Sequence, residues 1–334
     1  MNAKKIFSRP VICLSLASLL TDTASEAMYP LFPIFLTQVL KASAGFVGVF
    51  EGVADATASL SKYFFGALSD RARRREPLVI GGYTLANGVR PLIAFAAAPW
   101  QALGLRFVDR IGKGMRTAPR DAWLAAESTP ETRGRVFGFN SAMDHAGAVL
   151  GPLLASAYLF YNHGHLRRLF LWTLVPGLLA AVAVAAAGRS INEAAGAAKT
   201  ESHGGWSTFP PTFKRYLAIL LIFTLGNSSD AFILLRLRDA GVAAVYIPLL
   251  WSALHVAKSS FSIVGGKVAD AIGRKTAIVS GWLVYALSYF LFAAVGSAGA
   301  VIAVFIGYGI YYGLTEGAEK ALTADFISSE ARGA

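Results

Sequence analysis

Asp22 and Glu26 lie four residues apart in an otherwise apolar run, so a helix would set both carboxylates on one face. Asn227 and Asp230, three apart, would do the same, as would His255 and Lys258. Glu51, Asp55 and Lys62 would line one stripe, Arg90 follows Asn87 by three residues, and Asp144 adjoins His145. A charge near a bilayer centre costs about 2.5–3.5 kcal/mol on insertion scales, so such residues usually face a cavity or a partner. A carboxylate in a low-dielectric cavity takes up a proton more readily, and a nearby Arg or Lys opposes that. This is the chemistry of a proton relay or a substrate anchor. Each of these charges could equally be one half of a structural ion pair between helices, and Asp22 and Glu51 stand near expected helix ends. Glu26 and Asp230 lead the candidates. They occupy runs of small polar residues, "TASEAM" and "NSSDAF", at echoing places in the chain.

The stretch "RFVDRIGKGMRTAPRD", Arg106 to Asp121, is the most charged part of the apolar chain. Its glycines around Lys113 suggest a phosphate cradle, but the G-x-x-x-x-G-K-[ST] frame is missing and no strand precedes it. With no G-x-S-x-G or H-E-x-x-H frame either, no enzyme is expected. Asp109 could pair along one helix face with Arg106 or with Lys113, and either Arg106 or Arg110 could face a cavity. A later stretch, "YYGLTEGAEKALTAD", sets Glu316, Glu319 and Lys320 where this one has Thr117, Arg120 and Asp121. Recurrence with altered charge fits two helix ends on a transport pathway better than a nucleotide loop. The lone Cys13 excludes an internal disulfide, and the 5 histidines have no ligand spacing. No metal and no cofactor are expected.

The elements that would hold these residues are membrane helices. The chain has 334 residues, 55% of them hydrophobic and 15% charged, with a mean hydropathy of +0.51. A soluble domain carries about 25% charged residues. The net charge of +11 is spread in short bursts between apolar runs, which argues for a lipid bilayer and against nucleic acid as partner. "ASEA" at Ala24 to Ala27 loosely resembles a signal-peptidase site. Asp22 and Glu26 would fall in the cleavage region, however, and the apolar pattern resumes at Tyr29, so a retained first span is the better reading. Spans are expected near 11–39, 44–69, 77–97, 99–122, 136–160, 168–188, 214–235, 243–268, 276–296 and 299–323. The result is an all-α integral membrane protein with six spans in 1–188, a polar linker at 189–212 and four spans in 213–334. Most Lys and Arg fall on the side that holds Lys4, Lys5, Arg71, Arg74, Arg133, Lys214 and Arg274. The N-terminus and linker should therefore face the cytoplasm, across a cytoplasmic (inner) membrane.

The halves also echo one another. "GALSDRARRR" (Gly66 to Arg75) is matched 200 residues later by "GGKVADAIGRK" (Gly265 to Lys275), and "SEA" in the first span by "SDA" in the seventh. "DAWLAAESTPETRGR" (Asp121 to Arg135) is matched by "KALTADFISSEARGA" (Lys320 to Ala334). Many secondary transporters are built from such repeats. At this point the residues resemble the major facilitator superfamily. The family's loop pattern G-x-x-x-D-x-x-G-R-[KR] is met by Gly266, Asp270, Gly273, Arg274 and Lys275, and by Gly66, Asp70, Arg74 and Arg75 with Arg73 in place of the glycine. In the family this loop latches helices on the gate side; a solvated basic loop that only sets topology is the plainer alternative. "GAVLGPLLAS" is similar to the antiporter signature G-x-x-x-G-P-x-x-G-G through Gly147, Gly151 and Pro152, with Ala155 and Ser156 replacing the last two glycines. A generic small-residue packing face is the alternative there.

The resemblance implies two helical bundles that alternate access around a midplane cavity, a small-molecule substrate, and protons as the coupling ion. The span-five pattern tilts it toward export by antiport. The family has twelve spans, and the region matching residues 136–188 has no partner in the second half, so the eleventh and twelfth helices are expected to be missing. A non-transporting receptor or remnant is the other reading, with a membrane-embedded enzyme behind it. Tyr29, Phe32, Tyr63, Phe64, Phe139 and Phe232 could line an apolar cavity or pack toward lipid.

Overall fold

The structure is a computed structural model that describes residues 7–72, 74–129, 131–162, 164–188 and 209–326. The described residues form ten helical segments, joined by short turns except between the sixth and seventh, where 189–208 lie outside the described residues. Five of them begin with Pro at the first or second helical position, where the missing N–H is no loss: Pro10, Pro77, Pro99, Pro211 and Pro248. The second segment, Ala44–Arg71, is capped by Ser43, whose hydroxyl accepts from Phe46 N at 3.2 Å. The fourth runs Pro99–Ala126 and the fifth Arg133–Tyr161.

Several spans are interrupted. The first is α-helical over Arg9–Met28 and then tightens and loosens through Pro30 and Pro33 as far as Val39. The third is α-helical over Glu76–Val89 and narrows to a 3₁₀ helix at Arg90–Phe95, where Pro91 follows Arg90. The sixth divides into Leu166–Trp172 and Leu174–Ala186, and the tenth into Ala298–Gly307 and Gly309–Phe326. The seventh divides into Pro211–Gly226 and Asp230–Asp239. Asn227 and Asp230 therefore do not share a face of one continuous helix, contrary to the expectation from spacing. Asn and Ser side chains compete for backbone hydrogen bonds, and Ser229 caps the second half by accepting from Ala231 N at 3.2 Å.

Seven of the ten segments are long and apolar enough to cross a membrane. The second, fourth and fifth, at 28, 28 and 29 residues, are long enough but less apolar: Glu51, Asp55 and Lys62 interrupt the second, the charged run from Arg106 to Asp121 the fourth, and Asn140, Ser141, Asp144 and His145 the fifth. Most of the linker expected at 189–212 lies outside the described residues, as do Arg73 and the part of the final echo from 327 onward.

By their contacts the residues fall into two compact units, Met1–Ala195 with Val242–Ser252, and Gly196–Gly241 with Ala253–Ala334. In the first unit small residues let helices approach to backbone contact. A Cβ on Gly147 would stand 2.6 Å from the Leu19 carbonyl oxygen, and one on Gly151 would overlap the Thr23 carbonyl, so the first span lies directly on the fifth. The glycines of the "GKG" stretch work the same way. A Cβ on Gly112 would stand 2.8 Å from Ala86 N of the third span, and one on Gly114 would overlap Ser61 and Lys62 of the second. A core of Leu14, Val79, Tyr83, Trp123, Val136 and Val184 fills the space between these helices.

In the second unit the eighth span (Ile247–Ile272) meets the tenth through Gly265 against the Gly313 carbonyl. The ninth (Arg274–Ala294) meets the tenth through Gly281 against Thr315. Gly266, expected to be the close-approach glycine of the loop motif, instead faces open space, and its neighbour Gly265 takes that part. One residue of helix is about 100° of rotation, enough to exchange a packed face for an open one.

Candidate functional site

In the first unit the fourth span carries a ladder of charge into the helix interior. Asp109 is 1% exposed and is approached by three guanidinium groups. Arg90 of the third span donates to Asp109 Oδ1 from Nη2 at 2.8 Å and from Nε at 3.2 Å. Arg106 donates to Oδ2 at 3.3 Å, and Arg110 Nε stands 4.0 Å away. Arg90 also reaches Asn87 Oδ1 at 3.1 Å and the Thr21 carbonyl at 3.3 Å, while Asn87 donates to Thr21 Oγ1 at 3.0 Å. The fully buried Arg106 lies over the Phe32 ring at 4.5 Å, so a cation–π contact supplements the carboxylate.

The expected pairing of Asp109 with Lys113 is not made. Arg90 reaches across from the third span to take that place, and Lys113 is exposed. A flexible ammonium four residues along the helix cannot match a planar fork held beside the carboxylate by Asn87. Of the two arginines offered as cavity-facing, Arg106 is sealed and Arg110 keeps 9% side-chain exposure.

Two further rungs lie toward the C-terminal end of the fourth span. Arg116 sits 3.8 Å from Asp22 and 4.4 Å from the Tyr83 ring centre. Arg120 pairs with Asp121 at 2.8 Å, donates to Ser18 Oγ, and stands 3.8 Å from Asp144, which also accepts from Asn140 at 3.2 Å. Asp22 and Asp144 are thus partners of arginines. Glu26 is placed differently: the Trp251 indole N–H donates to its Oε2 at 3.0 Å, and Tyr29 packs on that indole with ring centres 5.0 Å apart. The stripe expected along the second span is split, with Glu51 buried and Asp55 and Lys62 exposed. Tyr63 and Phe64 are exposed too, at 82% and 63%, whereas Phe32 is buried beneath Arg106.

In the second unit Asp230 is the centre. It accepts from Tyr312 Oη at 2.9 Å and from Tyr308 Oη at 3.1 Å, both on the tenth span. Lys258 Nζ lies 3.6 Å from Asp230 Oδ2 and 3.5 Å from the centre of the Tyr312 ring. Both partners are largely shielded, with side-chain exposures of 16% and 14%. Tyr285, Tyr289 and Tyr311 extend the cluster, each within about ring-stacking range of a neighbour. Glu316 is exposed and is not among the groups bonded to Asp230.

The tyrosines and Trp251 escaped the sequence reading. The signal for them is the four-residue spacing of Tyr285 with Tyr289 and of Tyr308 with Tyr312, which in an apolar helix looks like lipid-facing packing. In the loop motifs, Asp70, Arg74 and Asp270 are exposed. Gly273 turns the chain into the ninth span at a φ of 87°, a left-handed conformation that explains glycine there. Arg274 donates to the Ala321 carbonyl at 3.3 Å and so ties the ninth span to the tenth, while Lys275 is exposed. Among the described residues no cluster of three or more His, Cys, Asp or Glu could hold a metal.

The family model for the Major Facilitator Superfamily matches residues 14–334. The chain belongs to the major facilitator superfamily. An uncharacterized MFS-type transporter of Methanocaldococcus jannaschii is 31% identical over 331 residues, covering 97% of this chain and 82% of its own. The multidrug resistance protein MdtG of Proteus mirabilis is 26% identical over 183 residues, or 52% of this chain and 44% of its own. The fold is that of a bacterial homolog of the human lysosomal transporter Spinster in its inward-facing, unoccupied conformation. The two superpose with a TM-score of 0.78 at 16% identity over 99% of this chain and 78% of that one. This major facilitator chain is accordingly a multi-pass membrane protein of a transporter family and not an enzyme.

Proposed function

We propose that this major facilitator protein exports a small organic solute across a cytoplasmic (inner) membrane by alternating access, in exchange for protons. The N-terminus and the 189–212 linker face the cytoplasm, between a six-span half at 1–188 and a second half at 213–334. The observation that carries the reading is a matched pair of carboxylates. Glu26 and Asp230 occupy echoing positions of the first and seventh spans, and each is partly buried and held by aromatic donors, Trp251 for one and Tyr308 and Tyr312 for the other. Each of these carboxylates faces indole or hydroxyl donors, with Lys258 3.6 Å from Asp230, whereas three guanidinium groups surround Asp109.

Export is supported by the packing of Gly147 and Gly151 on the first span, in the stretch that resembles the antiporter signature. It is supported too by the likeness to a multidrug resistance protein. Asp22, Arg116, Arg120 and Asp144 then serve as ion pairs at one end of the first unit. The loop residues Gly66, Asp70, Arg74, Gly266, Asp270, Gly273, Arg274 and Lys275 serve as the latch.

The test is flux of ethidium and of a panel of neutral and anionic dyes in proteoliposomes, with and without an imposed proton gradient. Gradient-driven flux of at least one probe is expected, and either Glu26→Gln or Asp230→Asn should abolish the driven component. Flux indifferent to the gradient, or persisting in both variants, refutes proton exchange on these groups. Absence of any flux, with no ligand-dependent rise in melting temperature, points to a non-transporting protein.

A further inference from the structure

The interruption of the seventh span leaves backbone groups that a continuous helix would have paired. Within a bilayer no water is at hand to satisfy them, so other protein groups must do so. Asn227 N–H turns back to the Thr224 carbonyl at 3.1 Å, which removes the acceptor that Ser228 N–H would use in a regular helix. Ser228 N–H donates instead to Tyr285 Oη at 2.8 Å. The carbonyl of the same residue accepts from Tyr289 Oη at 3.3 Å. These tyrosines sit one turn apart on the ninth span, with ring centres 4.5 Å apart, so one face of that helix holds both polar groups of a single residue. Two positions further along the seventh span, Asp230 meets the other tyrosine pair, Tyr308 and Tyr312 of the tenth. The tenth span is itself interrupted at Tyr308.

We infer that Tyr285 and Tyr289 are a hydroxyl clamp that holds the seventh span's interruption open and thereby positions Asp230 against Tyr308, Tyr312 and Lys258. Both hydroxyls bond the Ser228 backbone and neither is bonded to the Asp230 carboxylate, so they act through the placement of Asp230 and are positioning residues. Without them both backbone groups of Ser228 lose their partners, so the Asn227–Ser229 stretch loosens and no longer holds Asp230 against the tenth-span hydroxyls. The geometric half of the inference stands on the structure alone; its consequence for transport rests on the proposed role of Asp230.

The experiment is hydrogen–deuterium exchange on the full chain in lipid nanodiscs, comparing the parent with the Tyr285→Phe/Tyr289→Phe variant, which keeps both rings. Exchange of the peptide covering 223–232 is expected to rise about tenfold, the size of losing two neutral hydrogen bonds. Peptides in the first unit and the melting temperature should be unchanged. In proteoliposomes the same variant should lower gradient-driven flux severalfold while leaving downhill flux of the same dye within about twofold, a split that a merely structural residue does not produce. Unchanged exchange at 223–232 overturns the clamp. A rise spread over the whole chain together with a lower melting temperature also overturns it, because the tyrosines would then serve general stability. Should the parent show no gradient-driven flux, the proton-exchange reading fails while the exchange result still decides the clamp.

Discussion

Replacing Asp109 by Ala leaves Arg90, Arg106 and Arg110 in the interior of the first unit without the carboxylate they share. The exposure of Arg90 is 3%, that of Arg106 is 0% and that of Asp109 is 1%, so water cannot take over the lost charge. Breaking a buried ion pair from one side costs about 3–5 kcal/mol, most of it the uncompensated charge left behind. At roughly 1.4 °C per kcal/mol for a chain of this size, the melting temperature should fall by about 4–7 °C. Asp109→Asn keeps the shape and one acceptor for Arg90 but removes the charge, and should fall between Ala and the parent. Arg90→Met alone should cost less than Asp109→Ala, because Asp109 keeps Arg106 and Arg110. The double variant Arg90→Met/Asp109→Ala should then be less damaging than the sum of the two, since the Arg90 charge is no longer stranded. The assay is intrinsic-tryptophan thermal unfolding of detergent-solubilised protein. If Asp109→Ala and Asp109→Asn both melt within about 2 °C of the parent, the cluster is hydrated or screened and the reasoning from burial fails.

Gly147→Leu should fold poorly, because a Cβ there already meets the Leu19 carbonyl oxygen at 2.6 Å and overpacking costs about 1–3 kcal/mol or more. Gly266→Ala, with nothing within 4 Å, should be neutral or stabilising by up to about 1 kcal/mol; yield and melting temperature of the two variants read this out side by side. Lys258→Met should destabilise the second unit more than Lys258→Met combined with Asp230→Asn, with a coupling of about 1 kcal/mol between the two sites. A thermal-unfolding double-mutant cycle measures it, and additive effects would show that the 3.6 Å pair contributes nothing. Gly273→Ala should be costly despite open space around it, since its φ of 87° is strained for any side chain.

Apolar length made the ten segments legible, even where charged and polar residues make the second, fourth and fifth less apolar than the rest. Internal repetition singled out Glu26 and Asp230, and the spacing of small residues marked a packing face on the fifth span without naming its partner. These features are local or periodic, so the chain carries them in its order of residues. What the order could not decide is which of several equally spaced partners a side chain takes. Asp109 is within helical reach of both Arg106 and Lys113, yet its shortest bond is to Arg90, nineteen residues away on another span. Gly265 and Gly266 are equivalent in sequence, and only the rotation of the eighth span against the tenth makes one a contact and the other open. The tyrosines around Asp230 were invisible for the same reason. A hydroxyl on an apolar helix acquires its role from the neighbour it meets, and that neighbour is set by how helices pack, which no single helix's periodicity contains.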